Sequence, residues 1–265
     1  MARANRHYIP GQVWHITHRC HKKEFLLKFA RDRRRWHHWL FEAKKRFGLR
    51  ILNYVVTSNH IHLLVIDSEP DAIAKSIQLI AGRTGQEFNQ RKARKGAYWE
   101  DRYHATAVDR NEHLIRCLVY IDLNMVRAGV VSHPDEWDLN GYNEIQNPPD
   151  RYGVIDHESL LQLCGYSDSA EFVDQYRHWV QEAIAAGKSN RENCWTESIA
   201  VGSSLFIEET KLKMGINAKG RSIYDQPDGI CMLREESAPY NVNITPKNEA
   251  LSVENAFFWD NCLTI

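Results

Sequence analysis

The stretch SNHIHLLVI (Ser58–Ile66) places two histidines one residue apart in a run of branched apolar residues. Successive side chains of a β-strand point to opposite faces, so His60 and His62 are predicted to share one face and Ile61 the other. If the Ile61 face packs on a core, the other face presents two parallel imidazoles, which suits a divalent metal ion. The alternative is a half-buried strand with incidental histidines, and the stretch alone leaves both open.

The patterns around this stretch predict an α+β fold. Period-2 alternation indicates strands, and apolar residues at helical spacing indicate helices. The order β-α-β-β-α-β-α matches the split βαβ, or ferredoxin-like, arrangement: an antiparallel sheet with helices on one face and a second face open to ligand. The predicted strands are 13–19, 49–56, 60–66 and 102–109, and the predicted helices are 29–47, 71–91 and 111–129.

Composition divides the chain into four predicted segments. Residues 1–145 carry the sheet and its helices. A stretch with two prolines and a glycine marks a linker at 146–155. A mainly helical extension follows over 156–220, and 221–265 reads as an irregular tail. An aromatic patch in that tail, Phe257–Trp259, is expected to dock on the body of the protein.

A net charge of zero hides a strong asymmetry. Residues 1–150 contain 24 basic and 17 acidic side chains, whereas the remainder contains 10 and 17. Eleven of the thirteen histidines also lie in residues 1–150. Runs of charge are often only solvated helix faces, but a basic half joined to an acidic half favours a polyanion partner for the first half.

Two further features bound the class of protein. The six cysteines form no C-x-x-C pair, so a reduced, cytoplasmic setting is expected rather than a disulfide framework or a zinc knot. The sequence contains no apolar stretch of membrane-spanning length, and MARANRHYIPG lacks the apolar segment of a secretory signal. We therefore expect no membrane partner.

The predicted helix at 111–129 carries a polar stripe. At about 100° per residue, five side chains fall on one narrow face: His113, Arg116, Tyr120, Asn124 and Arg127. Solvent exposure alone can explain such a stripe. Its content is nevertheless chemical: a phenol, a carboxamide one turn away and two guanidiniums.

These residue types can perform phosphoryl chemistry. A tyrosine can act as a covalent nucleophile, although a free phenol has a pKa of about 10 and needs help at neutral pH. A metal at the phosphate supplies part of that help by making phosphorus more electrophilic. Two imidazoles and an amide oxygen form a mixed ligand set that favours Mg²⁺ or Mn²⁺ over a structural zinc site.

The motifs resemble those of a known family. Asn59–Leu64 resembles the His-hydrophobic-His strand of the HUH endonucleases, and Tyr120–Gly129 resembles the tyrosine helix of single-tyrosine transposases of the insertion-sequence type. The opening HYIPGQVWHITHRC (7–20) is similar to the start of the REP-associated tyrosine transposases. The resemblance covers roughly residues 5–145, with the motifs in the expected order. Two departures, Met125 and the turn Thr57-Ser58, remove no catalytic atom.

The resemblance implies a function. The chain would be a single-stranded DNA endonuclease and strand transferase that acts on hairpin DNA as a monomer or homodimer. Tyr120 would be the nucleophile that forms a 5′-phosphotyrosine, and His60, His62 and Asn124 would hold Mg²⁺ or Mn²⁺. The DNA-binding side chains are expected to be Arg102, Arg116 and Arg127.

Two other functions remain open at this point. The same sheet could serve as a non-catalytic module that binds hairpin DNA or RNA through its basic patches and aromatic side chains. A metallohydrolase with water as its nucleophile is the third hypothesis, although no carboxylate base stands out near the histidines. Four residues favour the transposase hypothesis, because a protein that only binds nucleic acid needs none of them: Tyr120, His60, His62 and Asn124. Trp14, Trp36 and Trp39 are predicted to be core residues.

Overall fold

One seven-stranded sheet runs through the protein. The computed structural model describes residues 9–187, 192–225 and 229–235. The strands are β1 (Val13–Arg19), β2 (Arg50–Val56), β3 (His60–Ile66), β4 (His104–Val108), β5 (Ala200–Gly202), β6 (Arg221–Asp225) and β7 (Cys231–Glu235). Their order across the sheet is β2-β3-β1-β4-β5-β7-β6.

Helices occupy much of the remaining described chain. Short 3₁₀ turns occur at His21–Lys23, Pro134–Glu136 and Gly215–Ala218. The α-helices are α1 (Ala30–Phe47), α2 (Ala72–Arg91), α3 (Glu112–Asp122), α4 (Asn124–Arg127), α5 (Gly141–Gln146), α6 (His157–Cys164), α7 (Ser169–Ala185), α8 (Cys194–Glu197) and α9 (Ser204–Met214).

The first six elements confirm the predicted α+β fold. The central strand β1 pairs antiparallel with β3 on one side and with β4 on the other, and β2 pairs antiparallel with β3. The connections through α1 and α2 give the split βαβ order. Gly48 ends α1 with a left-handed φ of 64°, as expected of a glycine stop.

Helices α1 and α2 cover one face of this sheet. They pack on each other and on the face that carries Ile16 and Leu63, both buried. On this side Tyr54 Oη of β2 is hydrogen-bonded to His37 Nε2 of α1 at 3.0 Å. The three tryptophans predicted to be core residues, Trp14, Trp36 and Trp39, are buried.

The second face of the sheet is not open, so that expectation was wrong. Asn53 of β2 donates through Nδ2 to Asp122 Oδ1 of α3 at 2.9 Å. The Thr106 hydroxyl of β4 lies 2.7 Å from the carbonyl oxygen of Ser198, which follows α8, and 3.2 Å from that of Trp195 in α8. Helix α5 also lies on this side, since a Cβ added to Gly141 would collide with the Asn53 side chain. The covering residues lie far along the chain, and local periodicity carries no signal for such contacts.

The C-terminal segments extend the sheet. Strand β5 pairs parallel with β4, and β7 and β6 follow antiparallel. Within the predicted irregular tail, β6 and β7 are therefore ordered strands. Because β6 lies at the sheet edge and is largely exposed, its sequence shows no buried alternation to mark it. The aromatic patch Phe257–Trp259 lies outside the described residues.

The predicted linker at 146–155 packs against the body. Ile155 forms a β-bridge with Ile51, and Glu144 accepts hydrogen bonds from the backbone N–H groups of Val154 and Ile155 at 2.6 and 2.7 Å. A single compact unit extends to Glu235, so it contains residues of all four predicted segments. The division into segments stays a prediction. No helix among the described residues is long and apolar enough to cross a membrane.

Burial of His37 makes folding sensitive to acid. Burial lowers its pKa to about 4, with the charge of His38 adding to the effect. Between pH 4 and 6.5 the unfolded chain therefore binds a proton that the folded chain excludes, so stability is present above this range and is lost as pH falls through it. We expect His37→Phe to reduce the loss by up to about 1.4 kcal/mol per pH unit. Urea unfolding of both proteins between pH 7 and 4 measures the free energy of unfolding. An unchanged slope of this free energy against pH in His37→Phe would contradict the prediction.

Candidate active site

Strand β3 presents His60 and His62 on the face opposite α1 and α2. The register pairs His62 with Thr17 of β1 and with Val55 of β2, which places it inside the sheet. The two imidazole centroids are 5.0 Å apart and the rings are inclined by 74°. His62 is only 2% exposed, whereas His60 at the strand end is partly exposed.

The turn before β3 orients His60. The Thr57 hydroxyl donates to the backbone carbonyl of His60 at 2.8 Å, so its oxygen acts as an acceptor toward His60 Nδ1 at 2.9 Å. The Asn59 carboxamide oxygen lies 2.7 Å from the same nitrogen. With two acceptors beside it, Nδ1 carries the proton, and Nε2 is the basic nitrogen.

His62 is held by a histidine that the sequence analysis did not single out. His15 Nε2 lies 2.9 Å from His62 Nδ1, and His15 Nδ1 lies 2.9 Å from the carbonyl oxygen of Trp195. Burial lowers the pKa of His15 to about 3, although the hydrogen bond to Trp195 opposes this shift. His15 is therefore neutral at neutral pH. The sequence did contain a signal for His15: the alternation of β1 puts His15 on the same face as Thr17, which pairs with His62.

The helix that carries Tyr120 is interrupted, whereas the sequence predicted one continuous helix over 111–129. Leu123, with ψ of 4°, separates α3 from α4. Asn124 begins α4 and its Nδ2 lies 2.8 Å from His62 Nε2. The carboxamide thus reaches the basic nitrogen of the histidine, as the one-turn spacing from Tyr120 led us to expect.

Tyr120 lies beside the histidines but is not on an open face. Its ring centroid is 5.9 Å from that of His62 and 6.2 Å from the Trp195 ring. The guanidinium carbon of Arg127 lies 4.2 Å from the tyrosine centroid. The side chain is 4% exposed, so solvent exposure does not explain the place of Tyr120 in the polar stripe. The cause of this burial is α8, which brings Trp195 onto this part of the sheet.

A cavity of about 310 Å³ lies beside Tyr120, which is one of its lining residues. Arg116 and Arg127 line it, as do three glutamates. One glutamate, Glu192, accepts from the indole N–H of Trp195 at 2.8 Å. Arg102 is not among the lining residues; it is exposed and precedes β4, at the end of the sheet where β3 begins with His60.

Comparison with known families adds to this geometry. Residues 10–124 match the model of the IS200-like transposase family. Over these residues the chain is similar to the IS200-like transposases. The matched range contains the histidine strand and Tyr120, and its last residue is Asn124. The match covers less than half of the chain, and the residues that follow Asn124 lie outside it.

Two solved structures resemble this chain more distantly. One is a REP-associated tyrosine transposase bound to a REP hairpin, with 20% identity, 59% of this chain and 94% of that chain covered, and a TM-score of 0.47. Another, from Deinococcus radiodurans R1, is assigned as a transposase, with 16% identity, 43% and 91% coverage, and a TM-score of 0.33. At these identities and TM-scores the two structures carry no argument about function, and the likeness to the family rests on the family model alone. The comparison with curated proteins gave no match.

Behind Tyr120, a buried polar network anchors helix α3. Asp122 accepts hydrogen bonds from Asn53 of β2 and from the Tyr176 hydroxyl of α7. Burial raises the pKa of Asp122 to about 7, although both hydrogen bonds oppose this shift. The network ties α3 to the sheet on one side and to the C-terminal extension on the other. Sequence patterning gave no sign of it.

His60, His62 and Asn124 carry the donor atoms that a divalent metal ion could use at this site. Among the described residues no group of three or more His, Cys, Asp or Glu side chains converges on a point. A site with three protein ligands here therefore needs an amide oxygen in addition to His60 and His62. Asn124 can present Oδ1 or Nδ2, because the two ends of a carboxamide have the same shape. Two imidazole nitrogens and one amide oxygen fit a divalent cation with positions left for phosphate and water.

Proposed function

We propose that the chain is a divalent-metal-dependent DNA transposase of the REP-associated type, which cleaves and joins single-stranded DNA at hairpins. The observation that supports this most is the meeting of four side chains from three elements. His60 and His62 come from β3, Tyr120 comes from α3, and Asn124 comes from α4. A binding module gains nothing from placing a phenol, two imidazoles and a carboxamide together.

In this proposal His60, His62 and Asn124 hold Mg²⁺ or Mn²⁺. Nε2 of each histidine is the basic nitrogen, because hydrogen bonds at Nδ1 fix the proton there. A bound divalent cation neutralises phosphate charge and makes phosphorus more electrophilic. The chain's own side chains supply the nucleophile and orient the DNA.

The proposed covalent step starts at the Tyr120 oxygen. The phenol gives up its proton to solvent, and the oxygen attacks a backbone phosphorus. A phosphorus–tyrosine bond forms, the bond from phosphorus to the 3′ oxygen breaks, and that oxygen takes up a proton. The product is a 5′-phosphotyrosine, and attack by a 3′-hydroxyl reverses the step and joins a strand. Arg127, whose guanidinium lies over the tyrosine ring, places a positive charge beside the site where the phosphate would bind.

The short distance between the rings of Tyr120 and His62 supports a complete site in one chain. A homodimer that exchanges tyrosine helices is then unnecessary. If this holds, mixing an inactive Tyr120→Phe protein with an inactive His60→Ala protein restores no cleavage. Recovery of activity in the mixture would show that the tyrosine acts across two subunits.

Arginines supply the proposed DNA contacts. Arg116 and Arg127 line the cavity beside Tyr120, and Arg102 lies at the end of the sheet near His60. Each phosphate contact releases counterions, so binding of single-stranded DNA should weaken steeply with salt, with a log–log slope of about −0.7 per contact. We expect Arg102→Ala to lower the magnitude of that slope by about 0.7.

Fluorescence anisotropy from 50 to 300 mM salt, roughly the range over which such contacts are lost, measures this prediction. Lys213→Ala is the control, because Lys213 is an exposed cation in α9, outside the family match, and is paired with Glu209. Affinity of the wild type that is flat over this range would contradict the proposed phosphate contacts.

A gel assay tests the proposed activity. The full chain is incubated with labelled single-stranded hairpin DNA and Mg²⁺ or Mn²⁺, and the mixture is separated on a denaturing gel. We expect a metal-dependent band of protein covalently joined to DNA. The burial of Tyr120 favours the second function, a hairpin DNA- or RNA-binding module. Tight binding without any cleavage under either metal would make that function the better account.

A further inference from the structure

His15 has a place in the site that metal binding and cleavage do not by themselves explain. It is fully buried in the central strand, and its two nitrogens bridge His62 and the carbonyl of Trp195. The planes of the His15 and His62 rings are within 9° of each other, with centroids 5.0 Å apart. Together with the 2.9 Å separation of their nitrogens, this fits an edge-to-edge hydrogen bond between coplanar rings.

The proton positions follow from the end of this chain of hydrogen bonds. A carbonyl oxygen can only accept, so His15 Nδ1 must donate to Trp195. In the neutral imidazole the other nitrogen, Nε2, then has no proton and can only accept. His62 Nδ1 must therefore donate to His15, which leaves the lone pair of His62 on Nε2, the nitrogen that faces Asn124.

We propose that His15 is a positioning residue that fixes the tautomer and ring orientation of His62 for metal binding, and that Trp195 anchors it through its backbone carbonyl. The inference rests on the proposed metal site. Partners of this kind orient metal-binding histidines and typically change metal affinity by about 10- to 100-fold. His15 lies within the residues matched to the family, but Trp195 lies 71 residues beyond the end of that match at Asn124.

The anchor itself is held by the sheet. The carbonyl of Trp195 is also approached by the Thr106 hydroxyl of β4 at 3.2 Å, and the Trp195 indole donates to Glu192. The Trp195 side chain is fully buried. Helix α8 is thus tied to β1 and β4, and the C-terminal extension completes the surroundings of His15.

Calorimetric titration with Mn²⁺ and nitrogen-15 NMR of the histidine rings test the inference without any DNA. His15→Phe keeps a flat ring but removes the acceptor for His62. We expect it to weaken Mn²⁺ binding by about 10- to 100-fold and to release His62 into both tautomers. His15→Gln should recover part of the affinity, because its amide oxygen can accept from His62 Nδ1.

His104→Phe is the matched control. His104 lies on the same face of the sheet and also contacts a carbonyl of the extension, but that of Ser198, at 2.9 Å. We expect it to leave Mn²⁺ affinity and the His62 tautomer unchanged. A wild-type protein with the His62 proton on Nε2, or a folded His15→Phe protein with wild-type affinity, would overturn the inference.

Failure of the inference can be told apart from failure of the proposed function. A wild type that binds no Mn²⁺ argues against the metal site, and the NMR spectra of the metal-free proteins still decide whether His15 sets the tautomer. If His15→Phe does not fold, the wild-type spectrum and His15→Gln decide the same point. DNA cleavage by a His15→Phe protein with normal Mn²⁺ affinity would keep the proposed function and remove the role of His15.

Discussion

Tyr120→Phe should abolish the covalent protein–DNA adduct and reduce strand cleavage by at least about 10³-fold while hairpin binding survives. The substitution removes one oxygen and keeps a ring that packs against His62, Trp195 and the Arg127 guanidinium. The phenol supplies at most one of many DNA contacts, so affinity should change little. The adduct on a denaturing gel and the dissociation constant of the hairpin are the two measurements.

Tyr54→Phe is a matched control for this experiment. Tyr54 is 4% exposed, as Tyr120 is, but it lies on the opposite face of the sheet beside His37. It should cleave at close to the wild-type rate, which separates loss of the nucleophile from a general cost of removing a buried hydroxyl. Cleavage at the wild-type rate by Tyr120→Phe would end the covalent mechanism and favour a metal-activated water.

His60→Ala and His62→Ala should each weaken Mn²⁺ binding by more than about 100-fold, because loss of a ligand costs more than loss of a partner behind one. Both proteins should keep Tyr120 in place and lose most of the cleavage rate. His60→Ala is the cleaner change, since His60 is partly exposed and its turn is held through Thr57. His62→Ala also leaves a small cavity and removes the partner of His15, so it should unfold at lower temperature.

His38→Ala provides the control for unspecific metal binding, because His38 is exposed on α1. Its Mn²⁺ affinity should equal that of the wild type. Unchanged metal affinity in both His60→Ala and His62→Ala would remove these histidines from the proposed site.

Local periodicity was enough for the elements that carry the site. Strands β1 and β3 begin and end at the residues that the alternation predicts, because one face of each packs on α1 and α2. The helix bearing Tyr120 was also predicted, although its interruption at Leu123 was not. The four-residue spacing alone predicted that Asn124 lies near Tyr120. The interruption at Leu123 does not separate the two residues by more than about one helical turn.

What the sequence did not reveal depends on contacts between distant segments. The open face was predicted from six elements, but α8 and α5 return to cover it. His15 and Asp122 each gain one hydrogen-bond partner from the distant C-terminal helices, Trp195 of α8 and Tyr176 of α7 respectively. No periodicity within 10 or 20 residues, the length that roughly defines one element, can encode such a pairing.

Peptide mapping of the covalent complex tests the central claim most directly. Trypsin cuts after Arg116 and Arg127, so the peptide Cys117–Arg127 contains Tyr120 as its single tyrosine. After incubation with a single-stranded hairpin and Mn²⁺, nuclease trimming and digestion, mass spectrometry should find this peptide with a nucleotide joined through phosphate to Tyr120. A nucleotide on another residue, or cleaved DNA with no modified peptide at any time point, would contradict the account.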